Sequence, residues 1–283
     1  MTGYSKEEAK KMRTNNIVLK ITTTIAYAAM VTVNYLANAL PIGGVTTGEA
    51  SNAYANLFTP AGITFSIWGL IYLLLLGHIL YQFGLWQKGV DPKREERLAV
   101  VGRYFLATSI ANIAWIFAWH YGIIWLSVVI MLSLLFFLIK IADMINNERY
   151  TVADTLFIRL PFSVYFGWIT VATIANITVF LVRLNWDGFG IADAVWTIII
   201  LMVGAGIAIA RMVKDRNIIY GSVFVWAYSG ILLKHVSENG FEGQYPGIIS
   251  TVIVCLVLFI VTIVFLWYKN RTENKLLINA LKT

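Results

Sequence analysis

The sequence is short of charged residues and of cysteine. Charged residues make up 13% of the 283 residues, whereas a soluble globular domain carries about 25%, so a soluble fold is excluded. The single Cys255 excludes disulfides and Cys-based metal sites. No carboxylate falls in the middle of an apolar stretch, which disfavours a proton relay of the Asp or Glu type.

The chain also lacks the usual catalytic patterns. It has no nucleophile–base pair, no phosphate-cradling loop and no metalloprotease motif, so an enzyme is disfavoured, although that role stays open. His78 has no Asp, Glu or second His at helical spacing, and we interpret it as a hydrogen-bonded bundle residue and not as a metal ligand. The sequence requires no cofactor.

What the sequence does contain is apolar stretches of membrane-spanning length. A stretch of about 20 apolar residues crosses the hydrocarbon core as a helix, because lipid cannot form hydrogen bonds with unpaired backbone N–H and C=O groups. We therefore predict an all-α integral membrane protein with about eight transmembrane helices. The predicted spans are 17–39, 58–84, 100–119, 122–142, 155–182, 191–211, 217–235 and 247–268.

The basic residues fall mainly on one side of these spans. Eighteen Lys and Arg residues lie on that side, and only Arg183 and Lys234 lie on the other. The positive-inside rule then predicts that both termini are cytoplasmic in a cell membrane. The net charge of +7 is thus interpreted as topology and contact with membrane lipids, and no nucleic-acid partner is expected.

Tryptophan and asparagine recur inside the spans. Trp68, Trp115 and Trp168 lie deep in three different spans, and together they could line a flat apolar cavity with polar groups nearby. Asn112 and Asn176 are expected to serve either as such polar groups or as interhelical hydrogen-bonding residues. The link at 41–57 is long and rich in Gly and Thr, which is typical either of a functional lid or of a surface loop.

These residues also carry a family resemblance. The segment 59–72 resembles the second-helix motif of the TspO/MBR family, the tryptophan-rich sensory proteins related to the translocator protein. The chain departs from the family at Ala61 and Val164, where the family has prolines. The residues that match family motifs, and that we predict to bind ligand, are Tyr35, Pro41, Pro60, Phe65, Trp68, Tyr72, Asn112, Trp115, Tyr165, Trp168 and Asn176.

The resemblance implies a five-helix bundle at 1–185 with a ligand pocket under the first link, followed by a three-helix extension at 186–283 that ends in a basic cytoplasmic tail. It implies a planar hydrophobic ligand (porphyrin, haem, or a sterol-like or other lipid), a sensory or regulatory output and often a homodimer. The alternative function is a transporter or exporter of a hydrophobic small molecule, for which the added C-terminal helices would enlarge the bundle.

Overall fold

The computed structural model describes residues 6–40, 42–89, 91–146 and 150–280, with the backbone alone described at 6–15, 52 and 273–280. The protein is 83% helical, and no strand occurs in these ranges. The helices are α1 (Lys6–Ala39), α2 (Thr47–Asn52), α3 (Ile67–Gln82), α4 (Pro92–His120), α5 (Ile124–Ile145), α6 (Val152–Asp154), α7 (Leu160–Arg183), α8 (Asp193–Asp215), α9 (Ile218–Val236) and α10 (Pro246–Ala280).

Seven helical segments among the described residues are long and apolar enough to cross a membrane. They are Asn16–Ala39, Gly62–Gln82, Pro92–His120, Ile124–Ile145, Val152–Arg183, Asp193–Asp215 and Pro246–Thr272. The remaining predicted span, 217–235, forms α9, which has 19 residues but is less apolar because it carries tyrosines, Lys234 and His235. The prediction of an all-α integral membrane protein is confirmed.

Local sequence signals set several helix ends. Pro92 is the first residue of α4, where its missing N–H costs nothing, and the Asp91 carboxylate caps the helix by accepting from the Lys93 N–H at 3.0 Å. Thr151 and Asp154 form a reciprocal capping box at α6. A π-helical turn, Thr155–Arg159, then joins α6 to α7, so that one continuous helical segment runs from Val152 to Arg183.

The chain forms two compact units, and each unit is built from two separate parts of the sequence. The first unit comprises Met1–Thr47 with Leu70–Phe162, and the second comprises Gly48–Gly69 with Ser163–Thr283. Both α3 and α7 therefore contribute to each unit.

In the first unit, α4 packs against α1 and α5. The Asn34 amide donates to the Asn112 side-chain oxygen at 2.6 Å, a buried polar bond between α1 and α4. His78 is fully buried between the Phe105 and Phe162 rings, and its Nδ1–H donates to the Phe157 carbonyl in the π-helical turn at 2.8 Å. These bonds satisfy polar groups that lipid could not solvate.

In the second unit, α8, α9 and α10 pack together, and a 3-10 turn, Gly62–Ser66, is held against α9. The Trp226 indole donates to the Thr64 carbonyl at 2.9 Å, and the Ala61 N–H donates to the Gly230 carbonyl at 3.0 Å. Gly230 permits this approach because a Cβ there would collide with the Thr64 side chain. The turn that precedes α3 therefore has a fixed position on α9.

Candidate ligand-binding site

Four of the predicted ligand-binding residues form one aromatic cluster in the second unit. The Trp168 ring lies edge-on to the Phe65 ring at 5.9 Å and to the Trp68 ring at 6.3 Å, measured between centroids. The Trp68 ring also lies edge-on to the Tyr165 ring at 6.0 Å. Edge-to-face pairs at these distances are the favoured geometry for aromatic side chains. We refer to Phe65, Trp68, Tyr165 and Trp168 as the aromatic cluster.

Two local features bring the cluster together. The anchored 3-10 turn and the first turn of α3 present Phe65 and Trp68, which lie three residues apart. Tyr165 and Trp168 lie three residues apart on α7, hence on one face of that helix. Between them Gly167 lets α7 approach α9, because a Cβ at this position would lie 2.9 Å from the Val223 Cβ.

The cluster contains a buried donor that the protein leaves unused. Trp168 is 3% exposed, and its indole Nε1–H has no hydrogen-bond partner among the described residues. A buried tryptophan N–H usually finds an acceptor, and leaving it unpaired costs about 1–3 kcal/mol. Trp68 and Phe65 are only half-buried, so one side of the cluster is accessible. A planar ligand with a carbonyl or carboxylate oxygen could stack there and accept from Trp168.

Two further predicted residues lie in the same unit. Pro60 is buried immediately before the 3-10 turn, and Asn176 is buried on α7, eight residues after Trp168. Asn176 lies on α7 together with Tyr165 and Trp168, and Pro60 precedes the 3-10 turn that carries Phe65.

The remaining predicted residues belong to the first unit. Asn112 is bonded to Asn34, as described above, and its own amide N–H group has no partner among the described residues. Trp115 stacks on Trp119 of the same helix, with ring centroids 5.4 Å apart. Tyr72 is half-buried on α3, and Tyr35 is 69% exposed on α1. Pro41 lies outside the described residues.

Sequence reasoning missed a cavity of about 600 Å³ in the second unit. Its walls come from the link preceding the 3-10 turn, the first turn of α8, the last turn of α9 and the segment before α10. Asp193 and Lys234 contribute charges, and Tyr54, Phe241 and Tyr245 contribute aromatic rings. The sequence feature that could have indicated this cavity is Lys234, which is followed by a link that contains two aromatic residues.

A smaller cavity of about 90 Å³ adjoins the large one and shares Ala55, Asn56, Leu57 and Asp193 with it. Its other walls include two tryptophans, Trp186 and Trp196, together with aliphatic residues of α7 and α8. Neither cavity is lined by a predicted ligand-binding residue. The aromatic cluster and the two cavities are thus distinct features of the second unit.

The link at 41–57 is tied down in each unit. In the first unit His120 donates from Nδ1 to the Ile42 carbonyl at 2.9 Å, and its Nε2 lies 3.0 Å from the Thr47 hydroxyl. In the second unit the His235 Nε2–H donates to the Leu57 carbonyl at 2.9 Å. The Asn56 side chain accepts from the next turn of the backbone, including the Phe58 N–H at 3.0 Å. The link therefore contains a short helix, α2, and hydrogen bonds hold its described residues in each unit.

Comparison with known proteins identifies the family. A sequence model of the family described as TSPO-like protein matches residues 20–265. No curated protein matches the chain, and no solved structure does. The matched region continues beyond residue 185, where the motifs of the first five spans end, and it includes α8, α9 and most of α10. The chain belongs to the TSPO-like protein family.

Proposed function

We propose that this membrane protein binds a planar hydrophobic ligand (a tetrapyrrole, a sterol-like molecule or another lipid) at the aromatic cluster and converts binding into a sensory or regulatory output. The family favours a ligand-binding protein embedded in the membrane. The ligand itself and the output are our inference from the residues.

The observation that carries the proposal is the state of Trp168. Trp168 lies edge-on to two aromatic rings, those of Phe65 and Trp68, and its buried indole donor has no partner among the described residues. A structural core residue gains nothing from an unpaired donor, whereas a binding residue uses it to orient a ligand. The half-buried faces of Phe65 and Trp68 supply the surface on which a flat ring system would stack.

The output is proposed to pass through the link at 41–57, which lies between α1 and the 3-10 turn. Its second half lies directly before the 3-10 turn that presents Phe65, and it is held by His235. A ligand that moves this turn would move the link, which acts as a lid in this proposal. Hydrogen exchange of residues 48–58 with and without ligand would measure that coupling.

Two further parts of the proposal concern location and assembly. The distribution of Lys and Arg supports a cell membrane with both termini in the cytoplasm. We also propose that the protein forms a homodimer, which the family resemblance implies.

The test is a titration with protoporphyrin and haemin in nanodiscs, followed by quenching of tryptophan fluorescence. Trp168→Phe keeps a ring and removes the N–H donor, so we expect affinity to fall by about 2–10-fold, the equivalent of one hydrogen bond. Trp68→Ala removes a stacking face and should weaken binding further. Trp125→Phe is the matched control, because Trp125 is 60% exposed on α5 and lies outside the cluster.

Only a saturable signal counts, since porphyrins also partition into lipid. Saturable binding that is retained in the control and weakened in both cluster variants supports the proposal. A linear signal that is the same in all four proteins would refute it and would favour the transport alternative, which flux measurements in proteoliposomes would then address.

A further inference from the structure

The large cavity of the second unit carries two opposite charges. Asp193 is exposed in the first turn of α8, and Lys234 is half-buried in the last turn of α9. Both line the cavity of about 600 Å³. Neither forms an ion pair with the described residues, and the Lys234 ammonium instead lies 5.8 Å from the Phe241 ring centroid.

This charge pattern restricts the ligands that fit. A simple anion would pair with Lys234 but would be repelled by Asp193. A simple cation would pair with Asp193 but would be repelled by Lys234. An uncharged ligand would pair with neither charge. A zwitterion can satisfy both at once, and such charge complementarity discriminates strongly against wrong partners.

The aromatic walls of the cavity favour a ligand that carries an ammonium group. Tyr54, Phe241 and Tyr245 line the cavity, and aromatic faces attract ammonium groups, including quaternary ones. Phe241 and Tyr245 are held in place by each other, with centroids 5.5 Å apart, and by the His235 ring, which lies 4.8 Å from Phe241. The rings are therefore set before a ligand arrives.

The smaller cavity favours a ligand that also has a hydrophobic tail. It shares Asp193 and residues 55–57 with the large cavity, and it is also lined by Leu181, Val182 and Ile200. A molecule whose headgroup occupies the large cavity could extend a hydrocarbon chain into this recess. The charged groups lie at helix ends, which is the depth at which lipid headgroups meet a membrane protein.

We propose that the cavity binds an amphiphile whose headgroup combines a phosphate with an ammonium group. Lys234 pairs with the phosphate, Asp193 and the Tyr54 and Tyr245 rings hold the ammonium group, and the chain follows the smaller cavity. This site shares no residue with the aromatic cluster, so it goes beyond the proposed function and can fail or succeed independently of it.

The test compares matched probes on the purified protein in neutral maltoside micelles, with native mass spectrometry to count bound molecules. The probes are dodecylphosphocholine, dodecyl phosphate, dodecyltrimethylammonium and free phosphocholine, all below micelle-forming concentrations. We expect dodecylphosphocholine to bind at one saturable site, about tenfold or more tighter than either singly charged probe. Binding that requires the dodecyl chain identifies a lipid, whereas equal binding of free phosphocholine identifies a soluble zwitterion.

Charge variants decide the assignment. Lys234→Gln should weaken zwitterion binding about tenfold and shift the preference towards the cationic probe, and Asp193→Asn should shift it towards the anionic one. The exchange Asp193→Lys with Lys234→Asp should restore zwitterion binding, whereas the control Glu238→Gln, which lies outside the cavity walls, should leave it unchanged. Equal binding of all probes by the wild type, or no restoration in a folded exchange variant, would overturn the proposal.

Discussion

Replacing Gly204 by alanine tests how closely α8 and α9 pack. A Cβ at Gly204 would lie 2.7 Å from the Tyr228 hydroxyl oxygen and 3.3 Å from the Ile174 Cδ1. The Tyr228 hydroxyl cannot simply rotate away, because it donates to the Leu201 carbonyl of α8 at 2.8 Å. Gly206 lies one half-turn further along the same helix, and a Cβ there meets nothing within 4 Å.

The two glycines form a matched pair. Both substitutions gain about 1 kcal/mol of helix propensity, so this term cancels in the comparison. Overpacking at Gly204 costs about 1–3 kcal/mol, and displacing Tyr228 from the Leu201 carbonyl adds about 0.5–1.5 kcal/mol. We therefore expect Gly204→Ala to have a free energy of unfolding about 1.5–4.5 kcal/mol below that of Gly206→Ala.

The assay is reversible unfolding in mixed micelles, followed by circular dichroism for both single variants. Adding Tyr228→Phe to Gly204→Ala removes the hydroxyl oxygen with which the new Cβ would collide. The double variant should therefore lose less free energy of unfolding than the sum of the losses in the two single variants. Equal stability of the two alanine variants, or strict additivity with Tyr228→Phe, would show that α8 and α9 do not pack as described.

Two further predictions follow from single hydrogen bonds. Replacing Asn34 and Asn112 by leucine, singly and together, should give a coupling of about 0.6–2 kcal/mol in a double-mutant cycle of unfolding, and zero coupling would contradict the 2.6 Å bond between them. His235→Phe removes the donor to the Leu57 carbonyl and should speed hydrogen exchange in residues 54–58 about fivefold, corresponding to a loss of about 1 kcal/mol. His235→Gln, which keeps a donor, should preserve more of the protection, and unchanged exchange in both variants would refute the role of His235 as an anchor.

The helical architecture was predictable because lipid permits few alternatives. A run of apolar residues in a membrane must satisfy its own backbone groups, so length and composition suffice to place a helix. The π-helical turn at Thr155–Arg159 was not predictable, because its five residues have an ordinary helical composition. The short helix α2 inside the link was also missed, since the link has no hydrophobic periodicity.

The aromatic cluster was partly predictable. The spacing of Tyr165 and Trp168 places them on one helix face, and the family motif adds Phe65 and Trp68. The pairing of Asn112 with Asn34 could not be read from the sequence, which predicts that a buried Asn has a partner but not which one. That choice depends on how α1 crosses α4.

The large cavity was missed for a different reason. Asp193 and Lys234 lie far apart in the sequence, and each resembles an ordinary charge at a helix end. The sequence motifs also end near residue 185, whereas the family match continues to residue 265. The division of the chain into a bundle at 1–185 and an extension at 186–283 stays a prediction.

The central claim, that a planar hydrophobic ligand binds at the aromatic cluster, is tested most directly by photolabelling. A protoporphyrin derivative that carries a diazirine would be activated on the protein in nanodiscs, and the labelled peptides would be mapped by mass spectrometry with and without excess protoporphyrin. We predict competable labelling at Phe65 or Trp68 on one segment and at Tyr165 or Trp168 on the other. Labelling confined to lipid-exposed tryptophans such as Trp125 and Trp267, and not reduced by competitor, would contradict the claim.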